Sequence, residues 1–364
     1  MKYLYIIILS MMPIVACAQS DTATAEKPSF FKRVGHAVND FIEEFNDYDT
    51  TYIEPNHYNY CAMIQGTQSM ERYRLKTKDD KSVLMGPNLN PRIGPYFGWR
   101  WLFLGYTFDI KNISFTSDGT RRDFDVSLYT ALFGIDVFSK KTGSHYKIKS
   151  IDLGDGVDVS DVEGHEFNGI NVTMTGFNLY YIFNHKKFSY PAAYNQSTQQ
   201  RKSAGSMIAG IGYTKHSLEY NHKTMDTLLT KCNIPSNVLD STMRVKSVKY
   251  RDLNFSVGYS YNWVFAKDFL FNASLSAALA IDRATSEYDT TTRRRWYEKM
   301  FFSINDVNID GIGRFGLLYN NGKWFAGSSF IIHTYTYRGE GFSTMNMFSD
   351  LNIYVGFNFN RRKK

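Results

Sequence analysis

Beyond about residue 20 this 364-residue chain has no apolar run long enough for a helical membrane span, and its mean hydropathy is -0.35. Such a span needs about 20 consecutive apolar residues, so helical membrane architectures are excluded. Cysteine is scarce, with three in all: Cys17, Cys61 and Cys232. That is too few and too scattered for a disulfide framework, and two separate thiols at Cys61 and Cys232 are expected. No phosphate-binding loop, zinc-ligand spacing or nucleophile elbow occurs, which leaves no cofactor or metal to expect. The formal charge of +7 comes from Lys and Arg spread along the chain. Such a charge is compatible with acidic lipid headgroups or nucleic acid and discriminates poorly between them; no nucleic-acid motif is present, so no nucleic-acid partner is expected. What the sequence has in quantity is aromatic residues: 16% of the chain, with 26 Tyr and 28 Phe. Aromatic girdles at a membrane interface use such a surplus.

The first twenty residues, "MKYLYIIILSMMPIVACAQS", have one Lys, an apolar centre and small residues at the end, the pattern of a secretory signal peptide over 1–18. Cleavage after Ala18 and lipidation at Cys17 are both open. Residues 19–56 read as a periplasmic linker and a short amphipathic helix. In that stretch Phe30, Phe31, Val34, Ala37, Val38, Phe41, Ile42 and Phe45 recur at helical spacing. The helix could pack on protein, lie on a membrane or plug a pore.

From residue 57 to the end a period of two takes over. In "LNFSVGYSYNWVF", residues 253–265, Leu253, Phe255, Val257, Tyr259, Tyr261, Trp263 and Phe265 alternate with Asn254, Ser256, Gly258, Ser260 and Asn262. Successive strand residues point to opposite faces, so one face is apolar and the other small and polar. The next segment repeats this with Phe271, Leu275 and Leu279 against Asn272, Ser274 and Ser276, and the C-terminus with Ile353, Val355 and Phe357. These apolar faces are long enough to cross a bilayer as tilted strands of about nine to eleven residues, and are expected to face lipid. Tight links at 98–101, 266–268 and 320–323 alternate with long polar ones at 111–122, 152–166, 222–246 and 284–301. Short turns at one rim and long loops at the other characterise an outer-membrane barrel. Parity gives about twelve strands if 57–77 is one strand bulged at Gly66. The link 184–203, "NHKKFSYPAAYNQSTQQRKS", breaks the pattern: it falls at a turn position yet is long.

The segments "YDTTYIEPNHYNY" and "FSYPAAYNQSTQQRKSAGS" resemble the secreted bacterial family described as domain of unknown function 4421. The likeness runs from about Phe30 to the C-terminus. It implies an exported outer-membrane β protein of a Gram-negative cell and brings no catalytic residues with it.

The expected fold is therefore all-β: an antiparallel transmembrane β-barrel of about 12 strands over 57–364, with the short N-terminal helix in the periplasm. By parity Asp123, Asp125, Asp306, Asp310 and Arg314 point into the lumen, as an internal ion-pair network or as a binding site for a small solute. A wall of residues as small as those of 254–262 and 272–280 does not fill space, so water, a plug or a ligand should lie against it. Arg293, Arg294, Arg295 and Trp296 could contact lipopolysaccharide or acidic glycans. Gly356, Phe357 and Phe359 resemble the terminal signal read by the barrel-insertion machinery. The acidic loop with Asp155, Asp158, Asp161, Glu163 and His165 lacks EF-hand spacing. Ser329 and His333 share a strand face but stand four residues apart, far for a catalytic pair. A pore, a transport component or a scaffold in the outer membrane is the expected role. The alternatives are a barrel enzyme acting on lipid or peptide, and a soluble or lipid-anchored β-sandwich.

Overall fold

The computed structural model describes residues 48–364 except 78, 90, 100–101, 106–107, 110–121, 142–145, 155, 236–246, 288–306, 339–341 and 362–364. The expected signal peptide with Cys17, the amphipathic helix, Asp306, and Arg293, Arg294, Arg295 and Trp296 lie outside the described residues.

Within them the chain forms β1 (Ile53–Pro55), β2 (Tyr58–Thr77), β3 (Ser82–Pro87), β4 (Pro91–Trp99), β5 (Leu102–Gly105), β6 (Phe108–Asp109), β7 (Arg122–Tyr129), β8 (Phe133–Lys141) and β9 (Tyr146–Asp152). After these come β10 (Glu166–Phe167), β11 (Ile170–Ile182), helix α1 (Tyr190–Tyr194), β12 (Thr198–Gln200), β13 (Ala204–Tyr220) and helix α2 (His222–Lys231). The described residues of the C-terminal part form long strands: β14 (Ser247–Ala266), β15 (Phe269–Glu287), β16 (Val307–Asn320), β17 (Trp324–Arg338) and β18 (Phe342–Arg361). The fold is all-β.

One antiparallel run leads from β7 through β8, β11 and β13 to β18 and on to β2. The other side of β2 pairs with β4 along Tyr60–Gln68 and with β3 along Tyr73–Lys76. β5 and β6 pair with β4, and among the described residues no ladder joins them to β7, so the sheet is not closed. It is nonetheless rolled. β8 and β16 are five strand spacings apart along the sheet, about 24 Å if it were flat. Yet Arg314 on β16 meets Asp136 on β8 at 2.6 Å, and Lys140 on β8 meets Asp350 on β18 at 3.1 Å. The roll thus has an inner and an outer face.

Alternation assigns residues to those faces. Leu253, Phe255, Val257, Tyr259, Tyr261, Trp263, Leu275, Leu279, Ile353, Val355 and Phe357 are all exposed on the outside, Leu275 at 63% and Ile353 at 62%. Phe271 is half-buried between its neighbours on the same face. On the inside, Asn254, Ser260, Asn262, Asn272 and Ser274 are buried. The short links are hairpins: Ala266 pairs with Phe269 across a turn in which Asp268 has φ 64, and Asn320 pairs with Phe325 around Gly322 at φ 90. Asp tolerates that left-handed conformation and Gly adopts it freely.

Three local expectations are corrected. Residues 58–77 are one strand, but its register against β18 and β4 runs unbroken through Gly66, so there is no bulge there. Continuous pairing on both edges supports the long strand without one. β15 runs on to Glu287, into what read as loop, because Ser247–Tyr250 pair with it. Residues 222–231 form α2, whose Met225, Leu228 and Leu229 recur at helical spacing and are buried.

Candidate functional site

The interior has three levels. At the end with the short turns it is filled by the segment that breaks the turn pattern. The chain leaves β11 at Ile182, enters the roll, and emerges into β13 at Ala204. Ser189 caps α1, its Oγ accepting from the Ala192 amide at 3.1 Å, and Pro191 in the first turn needs no amide partner. β12 pairs with β1 as a separate two-stranded sheet. The inserted side chains dock on the small polar wall. Tyr190 Oη and Ser274 Oγ lie 2.8 Å apart, and Tyr194 Oη donates to Asn272 Oδ1 at 2.6 Å. Asn262 Nδ2 donates to the Ser189 carbonyl at 2.8 Å and to Gln200 Oε1 at 3.0 Å, while its Oδ1 accepts from Asn272 Nδ2 at 2.6 Å. Small wall residues leave the room that the two tyrosines occupy, so here the occupant of the wall is a plug.

At the rim the plug is clasped by charge. Arg201 Nε donates to Glu54 Oε2 at 2.6 Å and its Nη1 to Asp268 at 3.0 Å, which ties β1 to the β14–β15 hairpin. Burial alone would raise the Glu54 carboxyl; the hydrogen bonds from Arg201 and His57 outweigh it and hold the group below its ordinary value of 4.5. Lys187 and Lys202 sit over the Tyr52 ring, each 5.3 Å from its centroid.

The long-loop end is filled by apolar side chains. Tyr146, Ile148 and Ile151 of β9, Phe167 of β10, and Met225 and Leu229 of α2 pack with Tyr73, Val172, Leu218 and Phe348 of the surrounding strands. β9 follows β8 in sequence yet pairs with β3, so this cap is laddered to a distant part of the sheet.

Between plug and cap lies a cavity of about 50 Å³, where Ser127, Asp136, Lys140, Arg314, His333, Tyr335 and Asp350 share the lining with Phe138, Met174, Ile331 and Phe348. One water needs about 10–15 Å³, so a few waters fit. Ser127 Oγ donates to Asp136 Oδ1 at 2.7 Å, and the Arg314 guanidinium also lies over the Tyr180 ring at 5.1 Å. Ser69 Oγ and Lys140 Nζ both donate to Asp350, and Arg92 donates to Ser69 Oγ at 2.9 Å. Two cations thus face two carboxylates across the cavity, and each buried charge has a partner.

Of the expected lumen residues, Asp310 and Arg314 are both buried at 4% exposure. They do not pair with each other: Asp310 Oδ1 accepts from the Thr336 amide at 2.9 Å, and Arg314 pairs with Asp136. Asp123 and Asp125 occupy β7 opposite Lys140 and Phe138, with side chains outside the described residues. Ser329 Oγ accepts from Asn352 Nδ2 at 3.3 Å, and His333 stacks on Tyr335 with ring centroids 6.2 Å apart. Asp158 accepts from the amide and hydroxyl of Ser160, closing a local turn. Cys61 and Cys232 are free thiols. Sequence reading missed Asp136, Lys140 and Asp350. Applying the same parity to 133–141, where Asp136 and Lys140 alternate with Ile135, Val137 and Ser139, would have found two of the three.

A rolled antiparallel sheet with an apolar outside and an inside filled by its own connections is the class that fold and site define. The chain belongs to the family described as domain of unknown function (DUF4421), whose model matches residues 47–359. No curated protein matches it. Similar solved structures include the outer membrane protease OmpT from Escherichia coli, at 9% identity over 83% of this chain and 97% of that one, with a TM-score of 0.34. The translocator domain of the autotransporter NalP from Neisseria meningitidis matches at 8% identity over 90% and 97%, with a TM-score of 0.31. Another is the P. putida toluene transporter TodX, at 7% identity over 84% and 91%, with a TM-score of 0.20. Scores this low carry nothing over to the chemistry of this chain.

Proposed function

We propose that this protein is an outer-membrane β-barrel of about twelve strands that serves as a closed scaffold and not as an open diffusion pore. The count takes β3 with β4, and β5 with β6, as single staves, and requires the seam between β6 and β7 to close. The reading rests on one pairing of observations: the outer face is apolar where a soluble protein would be polar, and the inside is occupied by the chain itself.

The outer face supports a lipid environment in dimensions as well as chemistry. From Leu253 to Phe265 the exposed apolar face of β14 covers about 40 Å along the strand, or about 30 Å of membrane normal at a tilt near 40°. Burial of these side chains in hydrocarbon is favourable at about 25 cal/mol per Å². At the short-turn rim the aromatic side chains form consecutive contacts. Trp263, Phe265, Phe269 and Tyr319 make one series, and Trp324, Phe357, Phe359, Tyr60 and Phe97 another. Such a row suits the interface between hydrocarbon and headgroups. It would put the short turns and the N-terminal segment in the periplasm, the long loops outside, and Phe357 and Phe359 where the barrel-insertion machinery reads a terminal strand. The water-sized cavity favours a scaffold over a solute carrier.

Planar-bilayer recording tests this. The full-length protein should give no steady conductance, and a variant with residues 187–200 replaced by a short Gly-Ser linker and the cap side chains of Tyr146, Phe167 and Leu229 cut back to Ala should conduct. Steady channels from the wild type would overturn the closed reading; protein that stays dispersed without detergent would overturn the barrel.

A further inference from the structure

The outer face changes character abruptly at the long-loop end. On β11, β13 and β14 the exposed apolar residues Phe177, Tyr213 and Leu253 are followed, two residues further along the same face, by Thr175, Lys215 and Arg251, all exposed. Lys215 and Arg251 are direct cross-strand partners, and the next partner of Arg251 is Arg283 on β15. One row further out Lys249 stands opposite Ser217, and on β8 Lys141 stands opposite Thr173 and Arg122. Like charges placed directly opposite in an antiparallel pair repel. Among the described residues no carboxylate pairs with Lys215 or Arg251. Asp252 is turned inside, 3.4 Å from His216, and Glu219, two residues beyond Ser217, is held by Asn171 Nδ2 at 3.2 Å. The Thr175 hydroxyl is 3.2 Å from that of Ser139 and adds a second polar group to the row.

We infer that the Lys215–Arg251 pair, with its flanking row, is a docking site for the phosphate-bearing headgroup of a membrane lipid. The inference rests on the barrel reading. A diphosphorylated lipid fits on three counts. Its acyl chains would lie on Phe177, Tyr213 and Leu253; its phosphate would reach the two cations at the apolar boundary; and its negative charge would remove the cross-strand repulsion. An Arg guanidinium offers a bidentate fork to phosphate oxygens and a Lys ammonium a point charge. The site differs from the Arg293–Trp296 run expected from sequence.

The test is native mass spectrometry of the full-length protein in detergent with diphosphoryl lipid A as probe and dephosphorylated lipid A as control. The wild type should hold the phosphorylated lipid at least about tenfold more tightly than the control. The double variant Lys215→Ala/Arg251→Ala should lose that preference, and Lys215→Arg should keep it. Single Lys215→Gln and Arg251→Gln variants, checked for folding by heat-modified gel mobility, serve if the double variant folds poorly. A preference left unchanged by these substitutions, or none in the wild type, overturns the proposal. A variant keeping Trp263 as its single tryptophan separates this failure from that of the barrel. Quenching by brominated acyl chains places the strand in lipid whatever the headgroup result, and lack of quenching sinks the barrel and the docking site together.

Discussion

The two ends of the interior differ in how far polar bonds share in the filling, since the plug too packs Phe188, Tyr190, Ala192 and Ala193 against apolar wall residues such as Ile208, Leu270 and Phe325. At the short-turn end, Tyr190, Tyr194, Gln200 and Asn262 interlock through directional hydrogen bonds, whereas at the long-loop end Tyr146, Phe167, Met225 and Leu229 form an apolar core. A hydrogen-bonded filling specifies one position for its segment, since each displaced group would be left buried and unpaired. An apolar filling is worth more in free energy and is less particular about register. The contrast teaches that the plug is built for placement and the cap for cohesion.

The comparison can be broken from either side. Phe167→Ala, which removes a fully buried ring packed 5.6 Å from Tyr220, should cost about 3–5 kcal/mol in urea unfolding while amide exchange in the plug stays slow. Asn262→Ala should cost less, about 1–3 kcal/mol, because it strips partners from Gln200 and Asn272, yet it should speed amide hydrogen exchange across residues 187–200. If the two variants cost the same and neither speeds exchange in the plug, the distinction between the ends falls.

The smallest effect is one of pH. The Glu54 carboxyl is held below 4.5 in the folded protein, so its contribution is complete above the unfolded value near 4.5 and is lost as pH falls through the lower folded one. Thermal stability of the wild type should therefore decline across this acid window. Arg201→Ala should flatten the decline, as seen in melting curves between pH 3 and 6. Because the pair is partly exposed, the change should be small.

Much of the sheet was legible because side-chain alternation is a local signal. Trp263, Leu275 and Val355 needed only their neighbours in sequence to be assigned a face, and the tight hairpins followed from short polar links between alternating runs. The plug was legible only as an anomaly. Nothing local says that Tyr190 will meet Ser274, 84 residues on; that contact exists because the wall is small where the tyrosines are large. Arg314 was likewise assigned to the inside by parity, while its partner Asp136 lies on a strand whose neighbourhood arises only from the roll.

The β14–β15 ribbon outlasts the apolar band. Its pairing continues from Arg251 to Ser247, about 13 Å of further rise, before ending at Glu287. In the proposed orientation that overhang is a mast. With β13 paired alongside as far as Glu219, it lifts the Glu287 end of β15 clear of the lipid surface, within reach of antibodies, phages or neighbouring cells.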